Sequence, residues 1–207
     1  GDYIYNSKNC HDCYLVTGNE DCRYVYYSKD SKSYRDVFIS FLSNEYVYES
    51  HAIPRNNYMV KFCDLCANGN QHLEYCNSCE SSSYLFGCVG LRGQEYCIFN
   101  KQYTKEQYEE LLPKIREQMM RVPYVDAGGR EYRYGEFFPI EHSPFGYNES
   151  TAQDFFPVSE SEITQEGFKL TDIEKHKGTY EPTIQSDFLP VAADAPDSIT
   201  SEVVACS

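Results

Sequence analysis

The sequence predicts a mainly β chain: a β-solenoid (β-helix) with rungs of about 21–22 residues, then a capping helix and a small α+β C-terminal region. Three observations carry this. The chain resembles itself at offsets of 21 and 22: Ser7–Cys13 overlies Ser28–Tyr34, Tyr24–Ser28 overlies Tyr46–Ser50, and Glu74–Cys76 overlies Glu95–Cys97. Residues 1–103 are rich in Tyr, Val, Phe, Asn, Ser and Gly, and Pro54 is the only proline before Pro113, a composition suited to strands and tight turns. Nine cysteines (10, 13, 22, 63, 66, 76, 79, 88 and 97) recur in step with the repeat.

A unit this short cannot bury its own apolar face and must stack on its neighbours, which gives about four to five rungs. Residues 51–60 break the phase and are expected to bulge outward as a loop. Thr104-Lys105-Glu106-Gln107 is a capping box, and Tyr108, Leu111, Leu112, Ile115 and Met119 form a helical stripe. The spacing therefore predicts a helix within 104–122, kinked at Pro113, that caps the open end of the solenoid. Residues 123–171 read as a small subdomain: a hairpin around Ala127-Gly128-Gly129, a first short helix capped by Asn148, and a second capped by Ser159 with Glu162 and stopped by Gly167. Phe137, Phe138, Phe145, Tyr147, Phe155, Phe156 and Phe168 are its expected aromatic core. Residues 172–207, rich in Pro, Asp and Thr, read as an extended linker.

The net charge of −14 repels phosphate backbones and anionic membranes, so nucleic-acid binding by this segment is disfavoured. No apolar run is long enough to span a bilayer. The first residues lack a basic-then-apolar signal pattern, and with reduced thiols this leads to a cytoplasmic expectation. Both ends are abrupt, which suggests a fragment of a longer chain.

Cys10/Cys13, Cys63/Cys66 and Cys76/Cys79 are C-x-x-C pairs, the spacing of zinc ligands. Cysteine also recurs nine residues apart, however, and Ser31, Tyr34, Tyr46 or Tyr84 takes its place in other rungs. Packing positions tolerate such exchanges and metal ligands do not. The preferred reading is a ladder of buried thiols. Zinc between rungs, and disulfides, remain alternatives, with Cys10, Cys13, Cys63, Cys66, Cys76, Cys79 and Cys206 as the metal candidates.

Gly1-Asp2-Tyr3-Ile4 with Asn6–Cys10, Phe86–Arg92 through Glu95–Tyr103, Tyr134–Pro139, Ser143–Glu149 and Pro196–Ile199 together resemble a family of uncharacterised bacterial Cys-rich repeat proteins from environmental small-genome bacteria. Its members carry zinc-ribbon modules flanking the repeats. The resemblance implies that Cys206 is the first ligand of a C-terminal ribbon.

No catalytic residue and no cofactor-binding residue is assigned: His11, His51, His72, His142 and His176 are scattered, and no phosphate-binding glycine motif occurs. The expected function is a non-enzymatic structural or interaction scaffold that presents Tyr-rich faces to a protein partner or to further copies of itself. Two other readings stand beside it. One is an adaptor that binds nucleic acid or protein through zinc ribbons outside this chain. The other is a carbohydrate-active β-helix that uses Glu74 and Glu95, taken as equivalent repeat positions.

Overall fold

The computed structural model describes residues 1–172, 181–191 and 194–205. The chain divides into two units, Gly1–Ser143 and Pro144–Ser207. In the first, nine strands follow one another in a single sheet in chain order: β1 (Asp2–Tyr5), β2 (Tyr14–Thr17), β3 (Glu20–Lys29), β4 (Lys32–Phe41), β5 (Glu45–Ile53), β6 (Tyr58–Lys61), β7 (Gln71–Glu74), β8 (Ser83–Phe86) and β9 (Glu95–Ile98). Every neighbouring pair is parallel, so each strand lies on its own earlier turn. This is the β-solenoid, with about eight turns.

The rung is 12 or 13 residues long, not 21–22. Tyr14 pairs with Tyr26, Glu20 with Lys32, Lys32 with Glu45 and Tyr58 with Gln71. The underlying unit is a triplet. Asp12, Leu15, Gly18, Asp21, Tyr24 and Tyr27 all have φ near +55° to +70°. The residue after each one points inward: Cys13, Val16, Asn19, Cys22, Val25 and Ser28 are buried. An offset of 21 is a multiple of three, so it superposes inward positions from different sides of the coil and mimics a rung. Residues 51–60 do not loop out. His51–Ile53 ends β5, and Tyr58 begins β6 in register with Glu45.

Holding a non-glycine residue at positive φ costs roughly 1 kcal/mol or more, and the inward side chain supplies compensation. The Cys13 thiol donates to the carbonyl of His11 at 3.1 Å, Cys63 to Lys61 at 3.1 Å and Cys76 to Glu74 at 3.3 Å. Serine makes the same bond two residues back: Ser31 to Lys29, Ser50 to Tyr48 and Ser82 to Glu80, at 2.8–2.9 Å. Cys and Ser exchange along the solenoid because each closes the same bent triplet with an X–H donor. Tyr34 is also inward and fully buried, with its hydroxyl 2.7 Å from that of Ser40. Tyr46 and Tyr84 differ from expectation: both occupy positive-φ positions on the outside.

The 13-residue rungs carry one extra residue at a single corner, before Asn44, Asn57 and Asn70. There Leu42-Ser43 and Asn68-Gly69 are consecutive left-handed residues. The longer Asn side chain bridges the wider corner. Asn70 donates to the carbonyls of Ala67 (2.8 Å) and Cys79 (3.1 Å), while its oxygen accepts from the Ser82 amide (3.1 Å). Asn44 bonds in the same manner to Phe41, Ile53 and the Asn57 amide. Asn19 sits at a three-residue corner, and its Nδ2 has no partner.

After β9, strand β10 (Lys101–Gln102) folds back antiparallel onto it. Helix α1 (Lys105–Arg121) starts at the expected Thr104/Gln107 capping box and continues through Pro113 as one element. It lies on the flank of the later rungs: Tyr108 and Leu112 pack with Phe86 and Ile98, beside Tyr84 and Tyr96. The expected hairpin forms from β11 (Tyr124–Val125) and β12 (Glu131–Tyr132), and it belongs to this unit.

In the second unit α2 (Thr151–Phe155) is capped by Ser150 rather than Asn148, whose side chain instead bonds both backbone groups of Thr171. Helix α3 (Glu160–Gln165) has the Ser159/Glu162 box and buries Ile163. The aromatic core is smaller than expected: Tyr147 packs on Phe168, whereas Phe145 and Phe156 are exposed; the Phe155 side chain lies outside the described residues. The expected linker contains a parallel pair, β13 (Ile184–Gln185) and β14 (Val204–Ala205). Among the described residues no helix is long and apolar enough to cross a membrane.

Candidate functional site: an open aromatic groove

Stacking in register places like positions directly above one another, about 4.8 Å apart. Aromatic side chains at such positions become ladders, of which two run over three rings or more among the described residues. One comprises His72, Tyr84 and Tyr96, with successive ring centroids 4.7 and 5.0 Å apart, and Tyr58, one position out of register, sits edge-on between Tyr46 and His72. Helix α1 covers its later rungs, setting Tyr108 edge-on to Tyr84 and Tyr96. The other ladder runs Tyr14, Tyr26, Phe38, His51, with centroids 5.4, 5.0 and 5.6 Å apart and near-parallel planes over its first three rings. Tyr14 and Phe38 stay 37% and 36% exposed.

This second ladder forms one wall of a groove of about 540 Å³ that runs along the coil. Its floor is the inward corner Val25, Val37 and Ser50, and its other wall is the positive-φ column Asp12, Tyr24, Asp36 and Glu49. The lining is overwhelmingly apolar, with carboxylates on the rim. Arg23 lies on the column outside the acids and meets Asp12 at 4.0 Å. The next two members of that wall, Phe62 and Tyr75, are occupied by the chain itself. Tyr134 packs on both, Phe138 packs on Tyr75, and the Gly135 amide donates to the Tyr75 hydroxyl at 2.9 Å. Phe137, from the same segment, closes that end of the open groove.

Beneath this segment Glu74 is buried and fully matched. Arg116 approaches in a fork at 2.7 and 3.1 Å, the Tyr134 hydroxyl donates at 3.1 Å, and Lys61 lies 3.7 Å away. Burial pushes the phenols of Tyr75 and Tyr134 up to about 12. Glu74 and Glu95 are not equivalent positions: Glu74 pairs in register with Phe86, whereas Glu95 pairs with Ser83. The buried ion pair leaves Glu74 in a structural role, and Glu95 lies on the exposed side.

Of the metal candidates, Cys63, Cys66, Cys76 and Cys79 occupy two adjacent corners of two successive rungs, while Cys10 and Cys13 lie several rungs away; Cys206 lies outside the described residues. All nine cysteines of the solenoid are free thiols. Within the quartet, thiol contacts and burial push Cys66 and Cys76 up, while contacts with neighbouring thiols bring Cys63 and Cys79 down. Their hydrogens also point at carbonyls, Cys66 at Cys76 and Cys79 at Cys88, both at 3.5 Å. Among the described residues no three His, Cys, Asp or Glu side chains converge to hold a metal ion. Four cysteine sulfurs are a zinc-type donor set, but their placement does not bring them to one centre.

Two features escaped sequence reasoning. His51 Nδ1 lies 2.6 Å from Asp64, and Asn77 donates to the other Asp64 oxygen at 2.9 Å. They are 13 residues apart on successive rungs, so only the correct period brings them together. The groove was equally hidden, although a 12-residue offset would have aligned Tyr14, Tyr26 and Phe38. His11 and His142 join no such cluster in the observed contacts, and His176 lies outside the described residues. Comparisons with known protein families, with curated proteins and with solved structures found no match to this chain.

Proposed function

We propose that the protein is a non-enzymatic interaction scaffold, whose regular coil displays an aromatic groove to a protein partner in a reducing compartment, the cytoplasm. The supporting observation is the ladder Tyr14–Tyr26–Phe38–His51, with Tyr14 and Phe38 more than a third exposed, over an apolar trough, next to rungs where the rings of the opposite wall, Phe62 and Tyr75, are covered by Tyr134 and Phe138. Exposed apolar patches of this kind mark interaction surfaces. The acidic surface disfavours nucleic acid as the partner. The test is selection of binders from a random peptide library on the full chain, followed by titration against Phe38→Ala. Binders that lose affinity for the variant support the reading; failure to select any, or equal binding to the variant, refutes it.

A second reading, an adaptor with zinc ribbons outside this chain, rests on the resemblance of strings such as Phe86–Arg92 and Glu95–Tyr103 to Cys-rich repeat proteins flanked by such modules. It predicts tightly held zinc in the full-length protein and none in residues 1–143; a metal-free full-length protein would remove it.

A further inference from the structure

We infer that the open groove binds a proline-rich segment in the polyproline II conformation, with a basic residue set against its acidic rim. This rests on the scaffold reading above and specifies the partner's chemistry. The first argument is spacing. The groove is ridged by rings at the rung repeat, so alternate rungs lie about 9.6 Å apart. A polyproline II helix advances about 9.3 Å in three residues. Prolines at every third position of a ligand laid along the coil would therefore meet equivalent gaps between rings. An extended β-strand repeats its same-face side chains every ~6.8 Å and loses that register within one or two repeats.

The second argument is the mode of presentation. Rings stacked face to face offer their edges to the groove, and Tyr24 on the opposite wall is 49% exposed. A sugar ring stacks on an aromatic face, which this ladder keeps for itself. Prolines packing into aromatic-lined troughs need only the edges and the gaps between them. A polyproline segment is also already extended, so it loses little conformational entropy on docking.

The third argument is continuity with an interface the molecule already makes. The segment Tyr134–Phe138 seats itself on Phe62 and Tyr75, the next members of the same wall. It leads into Pro139, whose φ and ψ of −56° and 135° are polyproline II values. A ligand in the open groove would extend the line that this segment begins. Charge sets the composition: Asp12 is met by Arg23 on its outer side, and Asp36 and Glu49 line the groove along the same wall. Three carboxylates on one wall favour a Lys or Arg on the ligand.

The experiment is fluorescence anisotropy with the full chain and three labelled peptides. The first has proline at every third position and a terminal arginine, the second has the same composition with its prolines adjacent, and the third is an aromatic peptide from the library selection. The expected result is preferential binding of the first, at least tenfold over the second. Phe38→Ala should weaken it about tenfold or more. Asp36→Asn with Glu49→Gln, which leaves the rings and Asp12 in place, should weaken it severalfold and reduce its salt dependence. Equal binding of the two proline peptides, or no effect of either variant, overturns the inference. If only the aromatic peptide binds, and Phe38→Ala abolishes that, the ligand class is wrong and the scaffold reading survives. If no peptide binds, both fail.

Discussion

At the scale of single residues, the solenoid follows a small code in which corner length selects the inward polar side chain. Ser and Cys close three-residue corners, where Asn19 is the exception, and Asn closes four-residue ones. Asn70→Ser should therefore cost about 2 kcal/mol, because the carbonyls of Ala67 and Cys79 lose a donor in a buried site. Asn19→Ser should cost under about 1 kcal/mol, because the Asn19 Nδ2 has no partner to lose. Denaturant midpoints of the two variants test the code, and equal losses would contradict it. His72 makes a second residue-level prediction. Partial burial, then Lys61, depress its pKa below the free value of 6.5. The unfolded chain thus binds more protons just below pH 6.5, so this contribution is complete above 6.5 and is lost as pH falls toward the folded pKa. Between pH 7.5 and 5.5 the wild type should lose more stability than His72→Gln, as read by thermal unfolding at each pH.

At the scale of elements, α1 is held by its apolar stripe and by one buried ion pair. Arg116→Ala leaves Glu74 with only Lys61 and the Tyr134 hydroxyl in a site almost closed to water. Breaking a well-buried pair costs about 3–5 kcal/mol; Arg116 is itself a third exposed, so about 2 kcal/mol is expected. The loss should concentrate in α1 and residues 134–138, visible as faster amide exchange there while β2–β5 keep their protection. The exposed row Lys8–Glu20–Lys32 is a contrast: Glu20→Gln should change stability by no more than about 0.5 kcal/mol. The helix was legible because a capping box and a stripe are local signals. Its seat on the solenoid flank was not, because that depends on which face the rungs turn toward it.

At the scale of the solenoid as a whole, stability is a sum of similar rungs and their interfaces, so a complete rung can be removed without a break in register. Deleting Glu20–Ser31 joins Asn19 to Lys32, which pairs with Glu20 in the intact sheet. That variant should fold, with a β-type spectrum and a cooperative but earlier melt. Deleting 21 residues from the same point joins different sides of the coil and should abolish folding. The opposite outcome would restore the longer period.

The sequence by itself determined that this region is a repeating β-coil with cysteine at packing positions, and it located the capping boxes of α1 and α3. These are short-range matters of composition, spacing and hydrogen-bond chemistry between near neighbours. Tertiary structure alone decided the rung. A triplet pattern is compatible with any multiple of three, and the choice of twelve depends on where four bent triplets close and on corners widened by one residue before Asn44, Asn57 and Asn70. Once that closure is set, it brings His51 to Asp64, separates Glu74 from Glu95, and lines up Tyr14, Tyr26 and Phe38. The aromatic groove is thus a product of register, since each of its residues is unremarkable along the chain and acquires its neighbours only when the turns stack.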